Sequence, residues 1–186
     1  QICDHPALWT GSGNFGPDDS GKFRRIRDLC AEIHARGEKV LVFTQFREMT
    51  GPLADFLGEH VFHRPGLVLH GGTPVARRQK LVADFQSETG PPFLVVSLKA
   101  GGTGLNLTAA DTVIHYDPWW NPAAEAQATD RAYRIGQTQP VFVHKLICQG
   151  TVEERIHQLQ AKKSQLADSL LSDAARAAAP DESTLS

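Results

Sequence analysis

Cysteine is scarce in this chain: three of 186 residues, at positions 3, 30 and 148. They are odd in number and far apart, and none forms a C-x-x-C pair, so neither a disulfide framework nor a zinc site is indicated. Eight histidines are scattered without H-x-x-x-H or H-E-x-x-H spacing, and no metal site is expected. Long apolar runs are missing too. None approaches the roughly 18 residues of a membrane span, so no membrane partner is expected. The opening QICDHPALW lacks the basic-then-apolar pattern of a secretory leader. An intracellular, reducing compartment is the expectation: cytoplasm or nucleoid in a bacterium, nucleus in a eukaryote. Gln1 in place of Met suggests a piece of a longer polypeptide. A global charge excess is absent as well. The net charge of −2 excludes a uniformly basic nucleic-acid binder but leaves room for local basic patches.

A further absence narrows the chemistry. There is no G-x-x-x-x-G-K-[ST] loop, whose backbone N–H groups and lysine would hold nucleotide phosphates. Lys22, in SGKF, lacks the first glycine at the right spacing and follows a linker rather than a strand. No apolar strand ends in Asp-Glu to hold a metal ion. Alone, the chain is therefore not expected to hydrolyse ATP. The loop AGGTGLN is not a dinucleotide fingerprint either, because Leu107 stands where the third glycine is required.

What is present reads as an α/β domain. Its 41% hydrophobic and 22% charged content is that of a globular protein with enough bulk for a core. Residues 1–20 form a leader and a Gly/Asp/Ser/Pro linker. Ser20 is placed to cap a helix over about 21–36, with Phe23, Ile26, Leu29, Cys30 and Ile33 at helical spacing. Short apolar strands are expected at 39–44, 66–70, 93–98, 112–116 and 140–147. Between them lie helices at about 47–60, from Pro74 onward, and at 122–133. This alternation predicts βαβ units, a mainly parallel sheet and helices on both faces. A striped helix follows over 151–172, and an Ala/Asp/Ser-rich tail, 173–186, is expected to be disordered.

The chemistry concentrates between Val95 and Gln137. Gly101, Gly102 and Gly104 follow a strand and allow close approach of a phosphate or another domain. Arg131 and Arg134 are three residues apart on the expected helix, with Gln127 and Asp130 nearby. Guanidinium forks suit phosphate oxygens and stay charged at any working pH. Trp119 and Trp120 are adjacent, so in extended chain one can be core while the other is exposed to stack on nucleic acid. Further basic groups lie at Arg24, Arg25 and Arg27, at Arg77, Arg78 and Lys80, and at Lys162 and Lys163.

Taken in order, these strings resemble the second RecA-like lobe of the SWI2/SNF2-type ATPases of helicase superfamily 2, nearly end to end. QICDHPAL resembles the segment leading into that lobe, and SGKF…GEKVLVFTQF its motif IV region. LHGG resembles the next motif, VSLKAGGTGLNLTAAD motif V, and DPWWNPAAEAQATDRAYRIGQ motif VI with its lead-in. TVEERIHQLQAKKSQLADSLL resembles the helix that braces the two lobes. The resemblance implies a three-layer α/β/α RecA-like, P-loop-NTPase-like lobe over 21–150, with a brace helix over 151–172. It implies ATP as the cofactor, with Mg2+ held by an absent first lobe, and double-stranded DNA and that N-terminal RecA-like lobe as partners. A nucleoprotein is a candidate substrate. Arg131 and Arg134 would reach the γ-phosphate, Gln127 would help arrange the site, and Gly102 and Gly104 would line the cleft. His70, Gly71, Gly72, Ser97 and Lys99 would touch DNA phosphates, and Trp120 would pack on the strand. Leu98 departs from the family's usual threonine, so no hydroxyl contact is expected there. Two other readings stay open: a strand-separating superfamily 2 helicase lobe, and a DNA- or protein-binding module without catalysis.

Overall fold

The computed structural model describes residues 1–97, 105–133 and 140–177, and only the backbone of residues 164, 167, 168 and 170–177 in the last helix. The chain divides into two compact units, Gln1–Cys148 and Gln149–Ser186. In the first unit, helix α1 (Pro6–Thr10) and helix α2 (Gly21–Ala35) precede strand β1 (Val40–Thr44). Helix α3 (Arg47–Leu57) and a π-helical turn (Gly58–Phe62) then lead to β2 (Leu67–Leu69). Helix α4 (Val75–Gln86), β3 (Phe93–Ser97), β4 (Thr112–His115), α5 (Pro122–Thr129) and β5 (Phe142–Lys145) complete it. The second unit is helix α6 (Val152–Ala177), which runs five residues past its expected end at 172. Among the described residues, no helix is long and apolar enough to cross a membrane.

All four strand pairings are parallel, in the order β2-β3-β1-β4-β5. Every residue of β1, β3 and β4 is buried, as expected when helices cover both faces of a sheet. Alternation along each strand sorts two cores. Val40, Val42, Phe93, Val95 and Ile114 point to one face, against Phe23, Ile26, Cys30 and Ile33 of α2 and Met49, Leu53, Phe56 and Leu57 of α3. Leu41, Phe43, Leu69, Leu94, Val96 and Val113 point to the other, against Leu81 and Phe85 of α4 and Ala128 of α5. The three-layer expectation is met.

Two differences from the sequence reading have physical causes. The leader is not a loose linker throughout. Asp4 and His5 are buried, and the His5 Nδ1 accepts from the Ala7 N–H to cap α1. Lys22, which has no phosphate loop around it, instead makes a buried 2.8 Å ion pair with Asp4 and lies over the Tyr116 ring. The Tyr116 and Ser20 hydroxyls both donate to the Asp4 carbonyl, at 2.6 and 2.7 Å. Secondly, α5 stops at Thr129 instead of continuing to 133. The Arg131 and Ala132 amides bond three residues back, to Ala128 and Thr129, which tightens the chain into a turn.

Candidate functional site

The carboxyl ends of the parallel strands gather the residues of interest, the edge where open α/β sheets place their ligands. Beyond β1, β2, β3 and β4 lies a cleft of about 490 Å³ lined by Gln45, Phe46, Arg47, Glu48, Gly71, Gly72, Ser97 and Trp119. Ser97, Gly71 and Gly72, which the resemblance put in one group, thus lie around one cleft, although Ser97 itself is buried. His70 closes the same turn: its Nδ1 accepts from the Gly72 N–H at 3.1 Å. Burial and the positive charges of Arg47, Arg77 and Arg78 hold the His70 pKa below its ordinary value, so the ring is neutral amid cations. Arg78 folds back to donate to the carbonyls of Thr73 and Gly71, at 2.8 and 3.0 Å, and fixes the turn. A side chain at Gly72 would press on the Arg47 guanidinium at 3.2 Å, whereas one at Gly71 would meet open space.

The two tryptophans divide as adjacent extended residues should. Trp119 is half-buried against the second core, and Trp120 is 72% exposed. The loop that carries them is fastened to the end of β1. The Asp117 carboxylate accepts from the Thr44 hydroxyl at 2.5 Å and from the Gln45 N–H at 2.8 Å, and the Gln45 amide donates to the Pro118 carbonyl at 2.5 Å. Burial, and then the nearby Asp4 charge, push the Asp117 pKa up to about 7.

Asn121 caps α5 by accepting from the Ala123 N–H, with Pro122 at the first helical position. Gln127 is exposed on this helix and Arg131 is half-exposed in the turn after it. The Arg131 carbonyl accepts from the Leu107 N–H at 2.9 Å, which ties the arginine turn to the chain just after the glycine cluster. Gln127 and Arg131 do not line the Gly71–Ser97 cleft; they form a second group, on α5 and in the turn after it. Lys99, Gly102, Gly104 and Arg134 lie outside the described residues.

Sequence reasoning passed over a buried polar group beneath α5. Glu125 is buried and pairs with Lys145 of β5. Its carboxylate also accepts a long bond from the Trp119 N–H, at 3.4 Å. Its carbonyl accepts from the Thr129 hydroxyl, which lies 3.0 Å from His115 Nε2. Because that hydroxyl gives its proton to the carbonyl, Nε2 is the donor in this contact. Burial drives the His115 pKa down to about 4, outweighing the nearby Glu125 carboxylate. Only the pairing of residues 20 apart, seen once β5 lies beside β4, separates this glutamate from a solvated one.

Comparison with known proteins agrees with this geometry. The helicase conserved C-terminal domain family matches residues 21–136. YwqA of Bacillus subtilis, an assigned ATP-dependent helicase/translocase, is 47% identical over 173 residues, 92% of this chain and 18% of that protein. The chromatin-remodeling ATPase INO80 of Drosophila melanogaster is 43% identical over 150 residues, 80% of this chain and 9% of that one. The Sulfolobus solfataricus SWI2/SNF2 ATPase core in complex with dsDNA superposes with a TM-score of 0.77 at 42% identity, covering 89% of this chain and 34% of that one. The chain therefore spans less than a fifth of these two curated relatives. With its matched segment, its parallel sheet and these relatives, it belongs to the helicase conserved C-terminal domain family, in the SWI2/SNF2 group of ATPases.

Proposed function

We propose that this chain is the second motor lobe of an ATP-dependent double-stranded-DNA translocase acting on nucleoprotein. The observation that carries the reading is a pair of residue groups joined by the tryptophan loop, which walls one and leads into the other. Gly71, Gly72, Ser97 and the cationic Arg47 line one cleft, with the exposed Trp120 on the loop that carries Trp119 at its wall, and the charges of Arg77 and Arg78 bear on His70 in the same turn. Gln127 and Arg131 stand on the α5 segment that the same loop enters. The first group suits a sugar–phosphate backbone and is largely blind to sequence, so binding should weaken steeply with salt. The second suits the charge that develops on a transferring phosphoryl group.

On this reading ATP and Mg2+ are held by an N-terminal RecA-like lobe of the same polypeptide, inside the cell. Arg131 and Arg134 are inserted into that nucleotide site as the lobes close. Gln127, Gly102 and Gly104 line it, while His70, Lys99 and Trp120 grip the duplex. Lacking a phosphate loop, the chain alone is inactive. The test is DNA-stimulated ATP turnover of the whole polypeptide with Arg131→Ala and Arg134→Ala. An arginine finger is worth about 10³–10⁵ in turnover, so losses of at least a hundredfold are expected. Turnover within tenfold of the parent for both variants refutes the assignment.

A further inference from the structure

Glu125 stands at a junction of four segments. Its carboxylate pairs with Lys145 at the end of β5 and accepts from the Trp119 N–H of the tryptophan loop. Its own carbonyl takes the Thr129 hydroxyl, and through it His115 at the end of β4. The residue lies on the helix that presents Gln127 and leads directly into Arg131. An ionised carboxylate held this deep is stabilised only by its partners, because burial of a lone charge is costly. It is therefore strongly selective for one arrangement of loop, helix and strand.

We propose that Glu125 is a positioning residue that couples the tryptophan loop to the arginine turn, so that a shift of Trp119–Trp120 on duplex DNA is passed to Arg131. The proposal rests on the function given above. Thermodynamically, the coupling is the difference in Glu125 contacts between the DNA-free and DNA-bound arrangements of the loop. The geometry favours this role over simple cohesion for one reason. The bond to Trp119 is long, at 3.4 Å, and joins the carboxylate to the part of the site that meets the ligand, while the Lys145 pair holds its other oxygen in place. A loop movement of a few tenths of an ångström would make or lose that bond without disturbing the ion pair.

The measurement is ATP turnover of the whole polypeptide with and without duplex DNA, alongside its DNA Kd. Glu125→Gln keeps the shape, removes the charge, and leaves only the partly exposed Lys145 without its partner. It is expected to keep the DNA Kd within about twofold while the ratio of DNA-stimulated to basal turnover falls about tenfold, since small misplacements of a catalytic group cost up to about a hundredfold. Glu125→Asp, which keeps the charge, should recover part of the ratio. A residue that only held the fold together would lower the melting temperature and leave the ratio alone. Lys145→Met breaks the same pair from β5, and its ratio decides the matter should Glu125→Gln not fold. A stimulation ratio within twofold of the parent in a folded variant overturns the coupling role. Arg131→Ala, measured in parallel, separates the two claims: if it abolishes turnover while Glu125→Gln keeps the ratio, only the coupling fails.

Discussion

Two buried groups at the ends of β1 and β4 are shifted in opposite senses, and their effects on stability nearly cancel until one is removed. His115, among Glu125 and Lys145, has its pKa lowered from 6.5 to about 4. A base whose folded pKa is depressed stabilises the fold above its unfolded pKa, and that contribution is lost as pH falls from 6.5 towards 4. Asp117, among Asp4 and Lys22, has its pKa raised from 3.8 to about 7. An acid whose folded pKa is raised destabilises the fold above pH 7, and acidification relieves the penalty down to about pH 4. At 1.36 kcal/mol per pH unit, the histidine removes about 2 kcal/mol between pH 7 and pH 5, and the aspartate returns about 2 kcal/mol. Asp117→Asn does not titrate; its one carbonyl oxygen still accepts from the Gln45 N–H, and its NH2 replaces the oxygen that faces the Thr44 hydroxyl, a change present at both pH values. Moving from pH 7 to pH 5, the variant is expected to lose about 2 kcal/mol more than the parent chain, or about 4–8 °C in Tm. Urea unfolding at the two pH values, followed by tryptophan fluorescence, reads this directly. Parallel stability changes in variant and parent would refute the opposed titrations.

Two further outcomes follow from packing and capping. Gly66→Ala places a methyl 2.1 Å from the Phe93 ring, which is fully buried and stacked on Phe62 at 4.8 Å. Such overpacking costs about 1–3 kcal/mol, whereas Gly71→Ala, in open space, should leave Tm within a degree or two. Ser20→Ala removes both the cap on the Phe23 N–H and a donor to the Asp4 carbonyl. A loss of about 1–2 kcal/mol in a chemical-denaturation curve is expected.

The strands were legible because burial on both faces demands continuous apolar runs such as VLVFT and FLVVS, and a turn residue bounds each one. The inward stripe of α2 was equally plain, from Phe23 to Ile33, because a helix that covers a sheet declares its face through its period. The leader was obscure for the opposite reason. Asp4 and His5 look solvated locally, and only Lys22, Ser20 and Tyr116, the last 112 residues away, make their burial affordable. The end of α5 was hidden by alanine-rich sequence, which favours continuing a helix, against the turn bonds of Arg131 and Ala132. Gly72 was singled out through the family resemblance alone, and Trp120 through that resemblance together with its place in an adjacent tryptophan pair. Arg47 was not, since its closeness to Gly72 arises only where the chain after β1 and the chain after β2, on either side of β3, meet above the sheet.

The central place of β1 has a consequence in time. Paired on both sides and buried along its whole length, it has no edge from which to fray. Its amides should exchange with solvent only through near-global opening, while those of β5, at the sheet's margin with Phe142 and Val143 exposed, exchange through local opening. The segment that holds Gln45 beside Asp117 is thus expected to be stationary on the microsecond-to-millisecond timescale of collective domain motions. Rearrangement at this edge falls to the loops above β1, and the floor beneath them keeps its shape.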